Sequence, residues 1–446
     1  MKNAISGLGL APDAAMVTFP IDMFLPDSDI APLERRKREV YNGLTRWKSD
    51  FAQAAPGASA MLAVEGVGYE DALIKANNYL LTNLWGDGLP LWPATRERVE
   101  WILKGSVLPR THVLGKFPPR GGVTTVETCA IALAMAGGRP EYLPVLLAAV
   151  DACLDPDANF EFMQATSAGP FPVIIVSGPI AKEIRLSSGF GCLGPDPQQP
   201  AGPGIGRALR LLQQNVGGAL PGVGTMANYG SMRNVNLVFA EDEEGLPEGW
   251  QSHAAERHGY APGTNSISLV FANGISNIRR RGAKKETPEE EALQGMHRMA
   301  DCMRVPALGV LQGYEKGTPG ILMIPRVVAH MMAALGWTKK SMREFLWQHT
   351  RIPLEQMRRN GSTSWMEIDA NPVTRDSMTL DPWPITSKPD NIVLLVAGGS
   401  HPTNSHWLQG MGPRVFGRVV RTPETFDRLL AAADRDLGCS ADECRI

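Results

Sequence analysis

Residues 164–218 read QATSAGPFPVIIVSGPIAKEIRLSSGFGCLGPDPQQPAGPGIGRALRLLQQNVGG, and the order of residue types in this stretch decides the fold class. An apolar, β-branched run from Phe171 to Val176 enters a Ser-Gly-Pro turn at Ser177. A short apolar run bounded by turn residues predicts a buried strand. A loop dense in Gly, Pro and Ser follows, and a helix then opens with Arg207 and Arg210 in its first turns. Strand, glycine-rich loop and helix N-terminus, in that order, are how α/β proteins commonly place a small-ligand site.

The same grammar recurs along the chain. Short β-branched runs at 173–176, 236–240, 266–271, 321–324 and 392–396 are bounded by Gly, Pro or Asn. Helical patterns alternate with them at 69–84, 124–137, 140–154, 327–335 and 338–349, with further helices opening at Thr95 and Thr422. The middle of 140–154 is apolar all round, which predicts a buried helix. This alternation predicts an α/β fold with mixed or mainly parallel sheets under helical cover. Residues 1–60 are weakly patterned apart from a helical candidate at 33–54, and the charged stretch from Arg279 to Glu291 is the best internal boundary. The expected organisation is a helical lead (1–60), a main α/β domain carrying the Gly/Pro-rich loop (61–285) and a smaller C-terminal α/β domain (286–446), with a ligand cleft between the last two. VIIVSGP at 173–179 and IVLLVAGG at 392–399 echo each other. They read either as an internal duplication or as the common way an α/β strand ends.

Composition bounds the function. The 446 residues carry a net charge of -2 with 43% hydrophobic residues, so the chain reads as globular and has no basic excess for nucleic acid. The run Arg279–Arg281 with Lys284 and Lys285 reads as a solvated loop. No apolar run approaches the roughly 18–20 residues that span a bilayer, and no basic segment followed by an apolar one opens the chain. The cysteines (Cys129, Cys153, Cys192, Cys302, Cys439, Cys444) form no CxxC pair and no zinc spacing. That predicts reduced thiols and a cytoplasmic location.

Four constellations carry candidate chemistry. Cys192 sits among glycines with Ser187 and Ser188 just upstream, a setting that could open a thiolate to substrate; the alternative is a small buried hydrophobe. GPGIGRALRLLQQN at 202–215 offers Gly204, Gly206 and Arg207 at a helix start for a carboxylate or phosphate. It lacks the Gly-Lys-Ser/Thr of a P-loop and the strand-adjacent glycines of a dinucleotide fingerprint, so no nucleotide cofactor is expected. His401 and His406 bracket GGSHPTNSH on a loop after a strand, where they could move a proton or, as the lesser reading, hold a metal. His253 and His258, beside the acidic run Glu241–Glu244, are expected in a solvated loop. Finally, Asp87, Arg120, Glu127, Gln164, Thr166 and Ser177 stand at turns and element starts. Arg120 is rigidly presented after Pro118-Pro119 and suits a carboxylate, while Glu127 could instead favour its own helix start.

GDGLPLWPATRERV (86–99), PPRGGVTTVETCAIALAMAGGRPEYLPVLLAAV (118–150), QATSAGPFPVIIVSGPI (164–180) and IGRALRLLQQNVGGALPG (205–222) together resemble a family of bacterial α/β proteins associated with the UGSC (seleno)proteins. GWTKKSMREFLWQHTRIP (336–353) and IVLLVAGGSHP (392–402) look like the C-terminal part of the same family. The resemblance spans roughly residues 75–420 and implies an α/β framework and a redox association. The chain departs from it at the site: it lacks the Sec/Cys-Gly-Ser-Cys tetrad, has Pro200–Pro203 in place of an Asn-rich loop, and has Ser167-Ala168 where a histidine is expected.

The reading that follows is an enzyme of lyase or hydrolase type on a small polar or anionic metabolite. Arg120, Arg207 and the 204–207 helix start would hold the anion, with Asp87, Gln164, Thr166, Ser177 and Ser188 lining the pocket. His401 or His406 would move a proton, and Cys192 or Glu127 would serve as nucleophile or base. A thiol-dependent oxidoreductase, a redox partner of a small (seleno)protein and a non-catalytic binding protein are the alternatives. The partners expected are a small-molecule substrate and, left open, further copies of the chain, with no nucleic acid and no membrane.

Overall fold

A computed structural model describes residues 29–46, 61–227, 236–279, 287–305, 313–364, 371–400 and 404–438. The chain divides into two compact units, Met1–Leu84 and Trp85–Ile446. The described part of the first contains the helices Ala31–Arg35, Lys37–Thr45 and Tyr69–Thr82. No helix among the described residues is long and apolar enough to cross a membrane.

The second unit holds the strands β1 (Val113–Phe117), β2 (Gly122–Thr125), β3 (Phe171–Ser177), β4 (Leu237–Ala240), β5 (Ser266–Arg279), β6 (Gly320–Ile324), β7 (Arg351–Ile352), β8 (Trp383–Pro384), β9 (Val393–Val396), β10 (Asn404–Gly410) and β11 (Phe416–Val419). β1 and β2 form a small antiparallel pair, as do β7 and β8. The other seven strands make one mixed sheet in the order β4-β3-β5-β10-β6-β9, with β11 also on β5. β3 and β4 are parallel, β6 and β9 are parallel, and every pairing of β5 and β10 is antiparallel. The strands on either side of residue 285 therefore share one sheet. The expected 285/286 boundary falls within it, and the sheet is not divided into two units there.

The sheet is curled, and alternation along the strands shows why. Phe171, Val173 and Ile175 of β3 meet Leu237 and Phe239 of β4, Val270 and Ala272 of β5, Ile321 and Met323 of β6, Val393 and Leu395 of β9, and Leu408 of β10 in one buried cluster. Side chains of period two from six strands can converge only if their shared face is concave. The intervening residues Leu322, Ile324, Leu394, Val396 and Trp407 face outward. They pack against the methionine-rich helices Pro288–Met303, Arg326–Ala334 and Lys339–His349. Around the other strands lie the helices Val126–Met135, Leu143–Cys153 and Ala201–Asn215. Leu143–Cys153 is buried at every position but Asp151, as its all-round apolarity predicts. The outer edges of the curled sheet meet where the Asp242 N–H donates to the Val396 carbonyl at 2.8 Å.

The two small antiparallel pairs were not anticipated, and neither were two strands of the seven-stranded sheet. β10 and β11 lie in stretches rich in Asn, Ser, His, Gly and Arg, which weaken strand propensity. β5 likewise runs eight residues beyond the expected 266–271, because β10 pairs with its second half. The topology reads the same from both edges, with β3, β4 and β5 matching β6, β9 and β10 in chain order and direction. The sequence echo at 173–179 and 392–399 thus joins β3 to β9, whereas the topological counterpart of β3 is β6.

Leu408 is fully buried in the inner cluster. Leu408→Ala should cost about 2–5 kcal/mol through lost transfer energy and a cavity, measured by urea unfolding. Val123→Ala, on the exposed face of β2, should stay within about 0.5 kcal/mol.

Candidate functional site

The C-terminal tips of β3, β4, β6 and β9 are linked around the meeting of the sheet edges. Beyond β4, the Glu241 N–H donates to the Val176 carbonyl at 3.3 Å, and Gly178 N–H donates to Glu243 Oε1 at 3.1 Å. Beyond β6, the Arg326 N–H donates to the Gly399 carbonyl at 3.2 Å, and Gly398 N–H donates to the Ser188 carbonyl at 2.8 Å. The loop Ser187–Gly194 is thereby pinned to the turn after β9. These bonds satisfy backbone groups that the ladder leaves open at its ends.

One charged pair dominates this seam. Arg326 donates from Nε to Asp242 Oδ2 at 2.8 Å and from Nη2 to Asp242 Oδ1 at 2.7 Å. The Asp242 side chain is only 7% exposed, whereas that of Arg326 is 41% exposed. These hydrogen bonds raise the arginine's pKa further above its ordinary value. The carboxylate fixes the plane of the guanidinium and leaves Nη1 and an open face for a second acceptor. Gly245 permits the arrangement, since a Cβ there would lie 2.1 Å from Arg326 Nε.

The residues expected at the site divide into two groups. Ser188 and Cys192 lie on the loop joined to Gly398, and His406 lies on β10, not on a loop. His406 is the cross-strand partner of Met323, on the face that carries Leu408 inward. Half-burial lowers its pKa, so the ring is neutral at physiological pH. His401 lies outside the described residues. Cys192 belongs to the inner apolar cluster at 9% exposure, and burial pushes its thiol up to about 12. That placement corrects the expected nucleophile: without an electropositive, open setting the thiol stays protonated.

The second group is spent on structure. Arg207 donates to Asp87 Oδ2 at 2.7 Å and Oδ1 at 2.9 Å, and to the Pro90 carbonyl at 2.9 Å. The pair fastens loop 85–90 to helix Ala201–Asn215, and with its side chain only 15% exposed Arg207 presents no open face to an anion. That helix starts at Ala201 rather than at 204–207, so Gly204 and Gly206 lie within its first turns, and the Gly204 N–H already donates to the Pro200 carbonyl at 3.3 Å. Gln164 accepts from Gln213, which accepts from Asn236, in a buried amide chain. The Thr166 hydroxyl accepts from the Ala168 N–H. Glu127 pairs with Arg110 in the first turn of its helix. Arg120 donates to the Val223 carbonyl at 3.3 Å. Ser177 is buried at the tip of β3 and belongs to a different polar cluster.

His253 and His258 also depart from expectation. They open and close a helix, His253–His258, capped by the Ser252 hydroxyl and ended by left-handed Gly259. The His253 N–H donates to Glu241 Oε2 at 2.6 Å, and Lys339 Nζ donates to Glu241 Oε1 at 3.0 Å and the Gln251 carbonyl at 2.7 Å. Burial takes His253 well below the ordinary imidazole range. Asp242, Arg326, Glu241 and Lys339 went unrecognised in the sequence. Their signal was positional: Glu241 and Asp242 are the first and second residues after β4, and Arg326 follows β6 by two residues. Among the described residues, no group of three or more His, Cys, Asp or Glu side chains is placed to hold a metal ion. Comparison with protein families, curated proteins and solved structures finds no match to the chain.

Two outcomes follow. Iodoacetamide at neutral pH should leave Cys192 unmodified in the folded protein and alkylate it after unfolding, read by peptide mass mapping. Lys339→Met should cost about 3–5 kcal/mol in urea unfolding, because it strands the buried Glu241 carboxylate; adding Glu241→Gln should recover much of that loss.

Proposed function

We propose that this chain is an enzyme of lyase or hydrolase type acting on a small anionic metabolite, with Arg326 receiving the anion. The observation that carries this reading is the Asp242–Arg326 pair, a half-exposed guanidinium fixed bidentately by a buried carboxylate where four strands end. In α/β sheets ligands collect at the carboxyl ends of strands, and a pre-oriented guanidinium matches carboxylate and phosphate geometry. Arg207 drops out of this role because Asp87 and the Pro90 carbonyl hold its Nε and Nη2 and its side chain is only 15% exposed, and Arg120 lies on the turn between β1 and β2, where it donates to the Val223 carbonyl. His406, neutral and on the inner face three residues across the ladder from Arg326, is the group suited to accept a proton from bound substrate. Ser188 and the Gly398–Ser400 turn supply the backbone around it.

A thiol mechanism finds no support in the surroundings of Cys192. The sequence resemblance to the UGSC-associated proteins is compatible with this reading, and on that resemblance alone we place the chain beside that group without its redox chemistry.

The test is a thermal-shift screen of small mono- and dicarboxylates and phosphate esters, followed by turnover assays on those that bind. Arg326→Met should weaken binding by roughly 10–100-fold, as expected for loss of a charged hydrogen-bonded contact, while Arg326→Lys should recover only part. Wild-type affinity in Arg326→Met would overturn the assignment. Binding without turnover would leave a binding protein and exclude the enzyme.

A further inference from the structure

A second polar centre lies at the tips of β3 and β4 and the start of β5, and it does not rest on the arginine reading. Ser177 and Ser266 are direct cross-strand partners, so their side chains share a face of the sheet. Ser268 stands two residues further along β5, on the face that carries Val270 and Ala272 into the inner cluster. All three serines are at most 2% exposed, and the hydroxyls of Ser177 and Ser266 have no hydrogen-bond partner. Buried polar atoms without partners are rare, and each calls for a specific reason.

The helix His253–His258 supplies the complementary group. His258 Nε2 lies 2.8 Å from Ser268 Oγ. The seat for this ring is built into β11: Gly417 is the partner of Ser268 in the ladder, and a Cβ there would come within 2.7 Å of the imidazole. Tyr260 flanks the ring at 5.3 Å between centroids, and His253 stands 6.0 Å away with its own buried Nε2 unpartnered. The neighbouring cations are engaged: Arg257 donates to the Asp390 and Asn391 carbonyls, and Lys339 to Glu241.

We propose that Ser268 is a nucleophile activated by His258, and that this centre hydrolyses small uncharged esters. Among the described residues no free cation stands beside it, so the site has nothing to hold an anionic substrate, in contrast to the surroundings of Arg326. Burial and Arg257 push the His258 pKa down to about 4, which leaves the ring as free base at neutral pH. In the first step Ser268 Oγ bonds to the ester carbonyl carbon while its proton passes to His258 Nε2. The carbonyl π pair moves onto oxygen, where the Ser177 and Ser266 hydroxyls can donate to it. Collapse breaks the bond to the alcohol oxygen, which leaves with the proton from His258. Water then attacks the acyl carbon as its proton passes to His258. The acyl–Oγ bond breaks, the carboxylic acid departs, and the proton returns to Ser268.

The test treats the full chain with diisopropyl fluorophosphate at pH 7.5 and locates any adduct by peptide mapping, with p-nitrophenyl acetate hydrolysis measured in parallel. The expected result is an adduct on Ser268 and hydrolysis that disappears in Ser268→Ala. In His258→Gln, labelling and hydrolysis should both fall about 100-fold or more. The wild-type adduct is read on the serine itself, so misfolding of a variant leaves the central result intact, and Arg326 plays no part in it. No adduct on Ser268, or equal labelling in His258→Gln, would overturn the proposal.

Discussion

The burial of one concave sheet face governs this molecule. Six strands send alternate apolar residues to a common interior, from Phe171 and Val173 on β3 to Val393 and Leu395 on β9. A sheet that curls this far must bring its two edges together, and edge strands carry open N–H and C=O groups. Here the edges touch at their tips, with the Asp242 N–H on the Val396 carbonyl, and the surrounding loops satisfy the rest. Polar and glycine-rich residues collect at that seam because backbone groups there need partners that a continuous ladder would otherwise supply.

The same constraint explains the two neighbouring acids. Glu241 and Asp242 leave β4 at the seam, and each takes a cation from the later part of the chain. Lys339 reaches Glu241 across 98 residues of sequence, and Arg326 reaches Asp242 across 84. The first pair is closed off from solvent, with side chains 2% and 0% exposed, whereas the second leaves its arginine open. That difference separates a structural tie from a group that can meet a ligand. A buried pair with its remaining lone pairs satisfied by backbone holds a geometry, while a half-exposed guanidinium has donors to spare.

The topological two-fold places β3, β4 and β5 against β6, β9 and β10, yet the chemistry at equivalent positions differs. Counting along the ladders from β3/β5 to β6/β10, Ser268 opposite Ile175 corresponds to His406 opposite Met323. One end of the fold thus carries hydroxyls under a histidine borne on a helix, and the other carries a histidine on the strand itself. The framework is repeated, and the functional side chains are not.

Local sequence determined the elements whose cause is local. The run Phe171–Val176 became β3, the threonine before Val126 caps its helix with Thr128 in a reciprocal box, and the wholly apolar helix Leu143–Cys153 is buried. The α/β character with a mixed sheet was legible from that alternation. β10 was not, because Asn404, Ser405 and His406 are poor strand residues taken singly and gain their conformation by pairing with β5, joined from His406 onward by β6 on the other side. The candidate site was legible only in outline. The loop at Ser187–Cys192 and the turn at Gly398 do meet, but spacing along the chain cannot tell that Arg207 is consumed by Asp87 while Arg326 is left open by Asp242. Such choices depend on which charges the curled sheet brings within hydrogen-bond reach and which it seals from water, and only the tertiary structure decides them.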